Sequence, residues 1–353
     1  MPVERTRWID MTAQLPPSTP DGSADLPSAR ATAADAQRVR RIPIERLSKL
    51  GVLLALLFFV AVFAIGSPRF LTVDNFVNVS RQISTNFIIG CAMTFVIITA
   101  GIDLSVGSLV ALSGVLMAGL TVNYGLPWPL AILLTIVALA GVGLLSGFAI
   151  SRQGLQPFVV TLAMMGIARG LALAYTDGTP IFITDPAVLA LGNGYIGPFP
   201  IPVVIAAVVG LLAHVVLTRT RLGRYVYAVG GNEQAARISG INVPNIKLFV
   251  YGLSGALSAV AGVIMAGRLY SGNPTAGADT ALDVIAAVVI GGTSLFGGVG
   301  SIIGTLLGAF IVGIISNGLT IMNVPYYWQL VAKGLVIYVA MLIDKQARSI
   351  RQS

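Results

Sequence analysis

Residues 83–122 read ISTNFIIGCAMTFVIITAGIDLSVGSLVALSGVLMAGLTV, forty residues in which Asp103 is the only charge. Crossing about 30 Å of hydrocarbon takes roughly 20 apolar residues at a rise of about 1.5 Å each. The stretch therefore reads as two membrane spans, 83–101 and 104–122, joined by a G-I-D-L-S break. Outward from it, further apolar runs lie at 49–66, 128–150, 157–175, 200–217, 246–267, 281–297, 301–320 and 327–343. Together they predict an all-α polytopic membrane protein with about ten transmembrane helices. The close pairs 83–122 and 281–320 each admit a second reading, in which one member is a half-helix that re-enters.

Composition points the same way. Apolar residues make up 56% of the 353 and charged residues 10%, with a mean hydropathy of +0.87. A soluble domain carries about 25% charged residues, so aqueous enzymes, secreted scaffolds and disordered hubs are excluded. One cysteine, Cys91, allows neither an intrachain disulfide nor a cysteine zinc cluster. The lone His214 argues against a histidine metal site or proton relay.

The net charge of +8 would suggest nucleic acid if the charges were scattered, but they are clustered. Eight Lys/Arg precede Leu50, five lie between Arg219 and Lys247, and three follow Met341. This is the positive-inside pattern, with membrane lipid as the partner and no nucleic acid. An even number of spans puts both termini in the cytoplasm, with Arg152 and the 218–245 loop on that side and 176–199 outside. Arg69 and Arg81 dissent. Residues 1–44 are too poor in apolar periodicity to fold alone and are expected to be a disordered cytoplasmic extension. The permease body is then 45–345, with a cytoplasmic tail at 346–353.

The two close pairs share G-x-x-L-x-x-G, as Gly101/Leu104/Gly107 and Gly292/Leu295/Gly298. Glycine-interrupted segments in corresponding halves of a transporter mark unwound helices along the substrate path. Glycine also simply lets membrane helices approach closely. The path reading selects Gly101, Asp103, Ser105 and Gly107 in the first break and Gly291, Gly292, Thr293 and Ser294 in the second. A carboxylate inside a span is costly, so Asp103 is either a path residue or a cap on free N–H groups at Ser105 or Val106. Arg169 and Lys333 either contact substrate, pair with Asp103 or Asp283, or snorkel to the interface. Arg268, Asp279 and Asp283 surround an outer loop; Arg268 and Asp279 are candidates for docking a soluble partner, against the alternative of a solvated rim. Trp128, Tyr326, Tyr327 and Trp328 suit an aromatic belt.

Absent motifs narrow the chemistry. There is no G-x-x-x-x-G-K-[ST], H-E-x-x-H or G-x-S-x-G, and no potassium-channel filter. The chain is expected to be no enzyme and to carry no cofactor or metal of its own. Within the 218–245 loop, Asn232 suits an N-cap, Glu233 the positive end of a helix dipole and Gly240 a C-cap. The helix expected over Glu233–Ser239 is too short to persist alone, so a partner groove or the headgroup layer should hold it.

Several segments together resemble a family. F-L-T-V-D-N-F (70–76), I-T-A-G-I-D-L-S-V-G-S (98–108), T-L-A-M-M (161–165), R-L-G-R-Y-V-Y-A-V-G-G-N-E-Q-A-A-R-I-S-G-I (221–241), P-T-A-G (274–277), L-D-V-I-A-A-V-V-I-G-G-T-S-L-F-G-G (282–298) and S-N-G-L (316–319) are similar to the permease subunits of ribose/xylose/galactose-type sugar-uptake ABC transporters. Branched-chain amino-acid permeases are more distant relatives. The resemblance covers about residues 45–345. It implies a bacterial inner-membrane importer of a monosaccharide, a pentose or related aldose, or within the same machinery a furanose-like signal, polyol or nucleoside. A self-sufficient ion-coupled carrier is the rival from another class. It further implies a second permease subunit in a homo- or heterodimer, an extracytoplasmic sugar-binding protein, and a cytoplasmic ATPase subunit that uses the ATP. Gly230, Gly231, Asn232, Glu233, Ala235, Ala236, Arg237 and Gly240 would form the cytoplasmic coupling helix that docks on that ATPase.

Overall fold

The computed structural model describes residues 44–352. Apart from Ile44, the expected N-terminal extension lies outside them. The described helices are α1 (Ile44–Gly66), α2 (Val73–Ile98), α3 (Val106–Val122), α4 (Trp128–Ser151), α5 (Pro157–Thr176), α6 (Pro186–Asn193), α7 (Ile201–Arg219), α8 (Arg221–Gly231), α9 (Glu233–Ile238), α10 (Val243–Leu269), α11 (Thr280–Ile290), α12 (Ile302–Ile321) and α13 (Tyr326–Gln352). Strands among the described residues are two-residue pieces. β1 (Ile181–Phe182) pairs antiparallel with β4 (Ser271–Gly272), and β2 (Tyr195–Ile196) with β3 (Phe199–Pro200).

Local sequence explains the ends. Thr72, Asp185, Asn232, Asn242 and Ser301 each accept a backbone N–H two or three residues on. Proline occupies the first turn of α4, α5, α6, α7 and α10, where its missing N–H costs no bond.

Six helices, α2, α4, α5, α7, α10 and α12, are long and apolar enough to cross a membrane, and Gly51–Gly66, α3 and α11 are shorter apolar helices. The span expected at 281–297 ends at Ile290. Its 11 residues rise only about 16 Å, half the hydrocarbon thickness. By length α11 is therefore not a full crossing. The half-helix alternative describes the second pair.

Apolar side chains point outward along α4, α5 and α7, among them Leu133, Val137, Leu145, Phe158, Ile167, Leu211 and Leu212. A multi-pass membrane protein explains this distribution, because lipid rather than water covers those faces. Inside, glycine sets the helix spacing. A Cβ on Gly143 would strike the Tyr251 carbonyl, and one on Gly255 the Leu139 carbonyl, so α4 and α10 pack backbone to backbone. The antiparallel α2–α12 seam runs from the reciprocal Asn75–Asn317 amide pair (3.0 and 2.8 Å) to the Thr94–Thr305 hydroxyl contact at 2.6 Å. These pairings define two ends. The base carries α8 and α9; the mouth carries α6 and the β1–β4 pair.

Replacing Gly143 by Leu should expel α4 from α10, and the thermal midpoint of the detergent-solubilised protein should fall by an amount consistent with overpacking of about 1–3 kcal/mol or more. Gly141→Leu, whose Cβ meets nothing within 4 Å, should leave the midpoint unchanged.

Candidate translocation site

Between α10 and α11 the chain does not loop over the mouth but turns back into the protein. Gly272 packs against Gly114 of α3, and Gly277 against Gly107, seven residues nearer the base. Residues 271–279 thus descend about 10 Å along α3, and α11 starts well inside. Irregular backbone at that depth needs hydrogen-bond donors that lipid does not supply. Arg169 of α5 provides them: its guanidinium donates to the Pro274 carbonyl at 2.6 Å and to the Ala276 carbonyl at 3.3 Å. Neither ion pair expected of Arg169 forms. Its partners are carbonyls, because the re-entrant turn leaves them without intrahelical donors.

This re-entrant segment walls one side of a cavity of about 540 Å³. That volume lies in the range of small-molecule sites, about 300–1,000 Å³. The opposite wall is α2, with Gln82, Thr85 and Asn86 above Ile89; α10 adds Arg268, and α11 and α13 add Asp283 and Lys333. Lys333 bridges both oxygens of the buried Asp283 carboxylate at 2.9 and 3.0 Å, one of the pairings open in the sequence. The Tyr326 hydroxyl donates to Asp279, so α13 grips the start of α11 at two points.

The two glycine breaks lie deeper. Asp103, 1% exposed, accepts from the Ser105 N–H at 2.9 Å and hydroxyl at 2.5 Å, and from the Ser254 hydroxyl of α10 at 2.6 Å. It takes the Ser105 N–H at the entry to α3, one of the two N–H groups its capping reading offered, and also ties the break to α10. Both breaks open with the same stop. After α2 the Ala100 N–H donates to Ile97 and Gly101 N–H to Val96; after α11 the Gly292 N–H donates to Val289 and Thr293 N–H to Val288. The left-handed residue is Ala100 (φ 58°) in one and Gly292 (φ 88°) in the other. The equivalence is real in the backbone but offset by one residue from the G-x-x-L-x-x-G match.

The breaks meet at the base. Gly298 N–H donates to the Ile98 carbonyl at 2.9 Å, and the Tyr227 hydroxyl of α8 donates to the Gly300 carbonyl at 2.7 Å. A Cβ on Gly230 would collide with the Ile98 carbonyl, so α8 lies directly on the crossing. Next, Asn232 caps α9 at 2.9 Å and Gly240 (φ 81°) closes it. Glu233 bridges Arg237 at 2.9 Å and Lys247 at 2.7 Å. Burial acts to raise the Glu233 pKa, but hydrogen bonds and charge from Lys247 and Arg237 outweigh it and hold the carboxyl below its usual range. A depressed pKa adds stability above the unfolded-state value that is lost as pH falls through the folded one. The clamp on α9 is therefore complete at neutral pH and released only in acid.

Of the predicted coupling residues, Ala235 and Arg237 are exposed, but Ala236 is buried and faces inward. The helix α8, Tyr227 included, was not anticipated, although its alternation of aromatic and small residues was visible in the sequence. None of the eight predicted path residues lines the cavity, whereas Arg268 and Asp279 do. Gln82 and Asn86 were missed too; the signal was two amides one turn apart on an otherwise apolar helix.

The sequence profile of the family described as "Branched-chain amino acid transport system / permease component" matches residues 75–341. The chain belongs to this permease family. It is a transport-system permease component, not an enzyme. It is 46% identical to the ribose import permease protein of Haemophilus influenzae over 297 residues, covering 82% of this chain and 91% of that protein. It is also 46% identical to the ribose import permease protein of Bacillus subtilis over 302 residues, 85% of this chain and 94% of the relative. The xylose transport system permease protein of Haemophilus influenzae is 33% identical over 355 residues, 83% of this chain and 95% of that one. No solved structure matches the chain.

Replacing Asp103 by Leu strands the Ser105 N–H and Ser254 hydroxyl in a buried site, at about 1–3 kcal/mol each. The thermal midpoint of the solubilised permease should drop well below that of Asp103→Asn, which keeps an acceptor there.

Proposed function

We propose that this permease is the membrane subunit of an ABC importer that moves a monosaccharide, ribose or a similar aldose, into the cell. The identity to ribose import permeases supports the solute. The observation that carries the mechanism is the seat of α8 on the crossing of the two breaks, with the clamped α9 beside it. An ATPase subunit docks on α9 at Gln234, Ala235, Arg237 and Ile238; a rigid α8–α9 unit then carries its stroke to Ile98, Gly298 and Gly300.

Orientation follows from charge. Arg152, Arg219, Arg221, Arg224, Arg237 and Lys247 gather at the base, which we assign to the cytoplasm. Both termini then lie in the cytoplasm, and the mouth faces out. A sugar-binding protein releases its cargo at the mouth, over the cavity whose rim includes Arg268 and Asp279. The solute rests there while the breaks seal the base. Gly101, Asp103, Ser105 and Gly107 on one side and Gly291, Gly292, Thr293 and Ser294 on the other form the inner part of the path, exposed when the crossing parts. A second permease subunit completes the core, and the ATPase subunit alone uses ATP.

Three outcomes test this. Uptake into liposomes should require the ATPase and the binding protein, and ATP hydrolysis by the purified permease alone would overturn the assignment. Glu233→Lys and Gly231→Val should each abolish uptake while the subunit still inserts; wild-type rates in both would make α9 an ordinary connection. With Cys91 replaced by Ala, a cysteine at Thr293, a position only 1% exposed, should resist polar thiol reagents at rest and react during turnover. Protection in every nucleotide state would remove the second break from the path.

A further inference from the structure

Gln82 and Asn86 stand four residues apart on one face of α2, and both line the cavity. Among the described residues, neither side-chain amide has a hydrogen-bond partner. Several other polar groups of the lining are already engaged. The Thr85 hydroxyl donates to the Gln82 carbonyl at 2.8 Å, Asp279 is taken by Tyr326, and Asp283 by Lys333. The four charged side chains of the lining, Arg268 and Lys333 against Asp279 and Asp283, cancel formally. Free recognition capacity lies in these two neutral amides, each carrying an acceptor oxygen and two N–H donors, alongside the Arg268 guanidinium and the Thr280 hydroxyl. Half-buried amides on a membrane helix are costlier than apolar side chains there.

We propose that Gln82 and Asn86 form a solute-contacting subsite that reads adjacent hydroxyls of a neutral sugar on its way through the cavity. Two amides one helical turn apart present alternating donors and acceptors, and vicinal hydroxyls, each donor and acceptor at once, complement them. A solute lacking one of those hydroxyls leaves an amide unpaired, the situation in which polar sites discriminate most strongly. This rests on the importer reading and adds a selection step in the permease itself, after release from the binding protein.

The test uses the complete importer in liposomes, with permease, ATPase and saturating binding protein, and compares uptake of D-ribose with uptake of 2-deoxy-D-ribose and 3-deoxy-D-ribose. Because the same binding protein serves every variant, its own preference cancels in the ratio of variant to wild type. Gln82→Leu and Asn86→Leu should each lower ribose uptake about tenfold, as loss of one or two hydrogen bonds implies, and lower uptake of at least one deoxy sugar clearly less. Asn86→Gln, which keeps the amide, should restore most of the preference. Should Gln82→Leu fail to assemble, Gln82→Met, of similar length and shape, takes its place. Equal losses for ribose and both deoxy sugars would show a packing defect and overturn the subsite, as would unchanged uptake. Preferential loss of a phosphorylated sugar's uptake would make the cavity an anion site centred on Arg268 and overturn it as well. A wild-type complex that moves no sugar defeats the importer reading, and the subsite with it.

Discussion

A backbone amide inside hydrocarbon has no water to turn to, and the interior of this permease is arranged around that constraint. Continuous helices satisfy it alone. The chain nevertheless leaves helical geometry three times within the protein, at residues 99–105, 271–279 and 291–301, and each departure comes with its own supply of donors and acceptors. Asp103 takes the Ser105 N–H, Arg169 covers the Pro274 and Ala276 carbonyls, and the Ile98 carbonyl receives Gly298 N–H. Burying a carboxylate or a guanidinium in a span is expensive. It is tolerated here because the alternative is several unpaired peptide groups, each costing a comparable amount.

The same constraint decides how the breaks are held. Segments without a full internal ladder hold their position through a few specific contacts, and such contacts can be exchanged as a helix ladder cannot. The crossing of the two breaks is closed by one backbone hydrogen bond and pinned by one tyrosine hydroxyl. Glycine at 230 lets α8 sit directly on the Ile98 carbonyl, so a small displacement of α8 cannot be absorbed by side-chain rearrangement. By contrast, α4 and α10 lock backbone to backbone through Gly143 and Gly255. One seam is locked along two helix backbones and the other is held by two hydrogen bonds.

Much of the fold was legible in the sequence because hydropathy reports length directly. Residues 128–150, 157–175, 200–217, 246–267 and 301–320 correspond to α4, α5, α7, α10 and α12 within a few residues. The cap at Asn232 and the closing Gly240 were legible because short-range chemistry dictates them. The depth of 271–279 was not, since S-G-N-P-T-A-G-A-D reads equally well as a surface turn; only Arg169, more than a hundred residues earlier, reveals that its carbonyls are buried. The repeat was half legible. Glycine counting found both breaks, but the shared stop falls on Ala100 in one and Gly292 in the other, and an alanine in left-handed geometry leaves no mark in a glycine pattern. The short α9 helix was visible in the sequence and the cavity was not, because the cavity is assembled from α2, α3, α10, the 271–279 segment, α11 and α13, and none of these shows its facing side in one dimension.

The start of α11 shows how the cavity wall follows from the same electrostatics. A helix beginning deep in the protein exposes the positive end of its dipole there, and Asp279 and Asp283, four residues apart, lie at that end. Two carboxylates would overcompensate a partial charge of about half a unit. The surplus is met from α13, where Tyr326 and Lys333, seven residues and thus about two turns apart, reach the same two carboxylates. The lysine neutralises the more buried aspartate and the tyrosine engages the more exposed one without adding charge. The result is a wall that is polar yet nearly neutral, held by contacts between helices that are distant in sequence. Such a wall neither attracts ions strongly nor repels an uncharged, hydroxyl-rich solute.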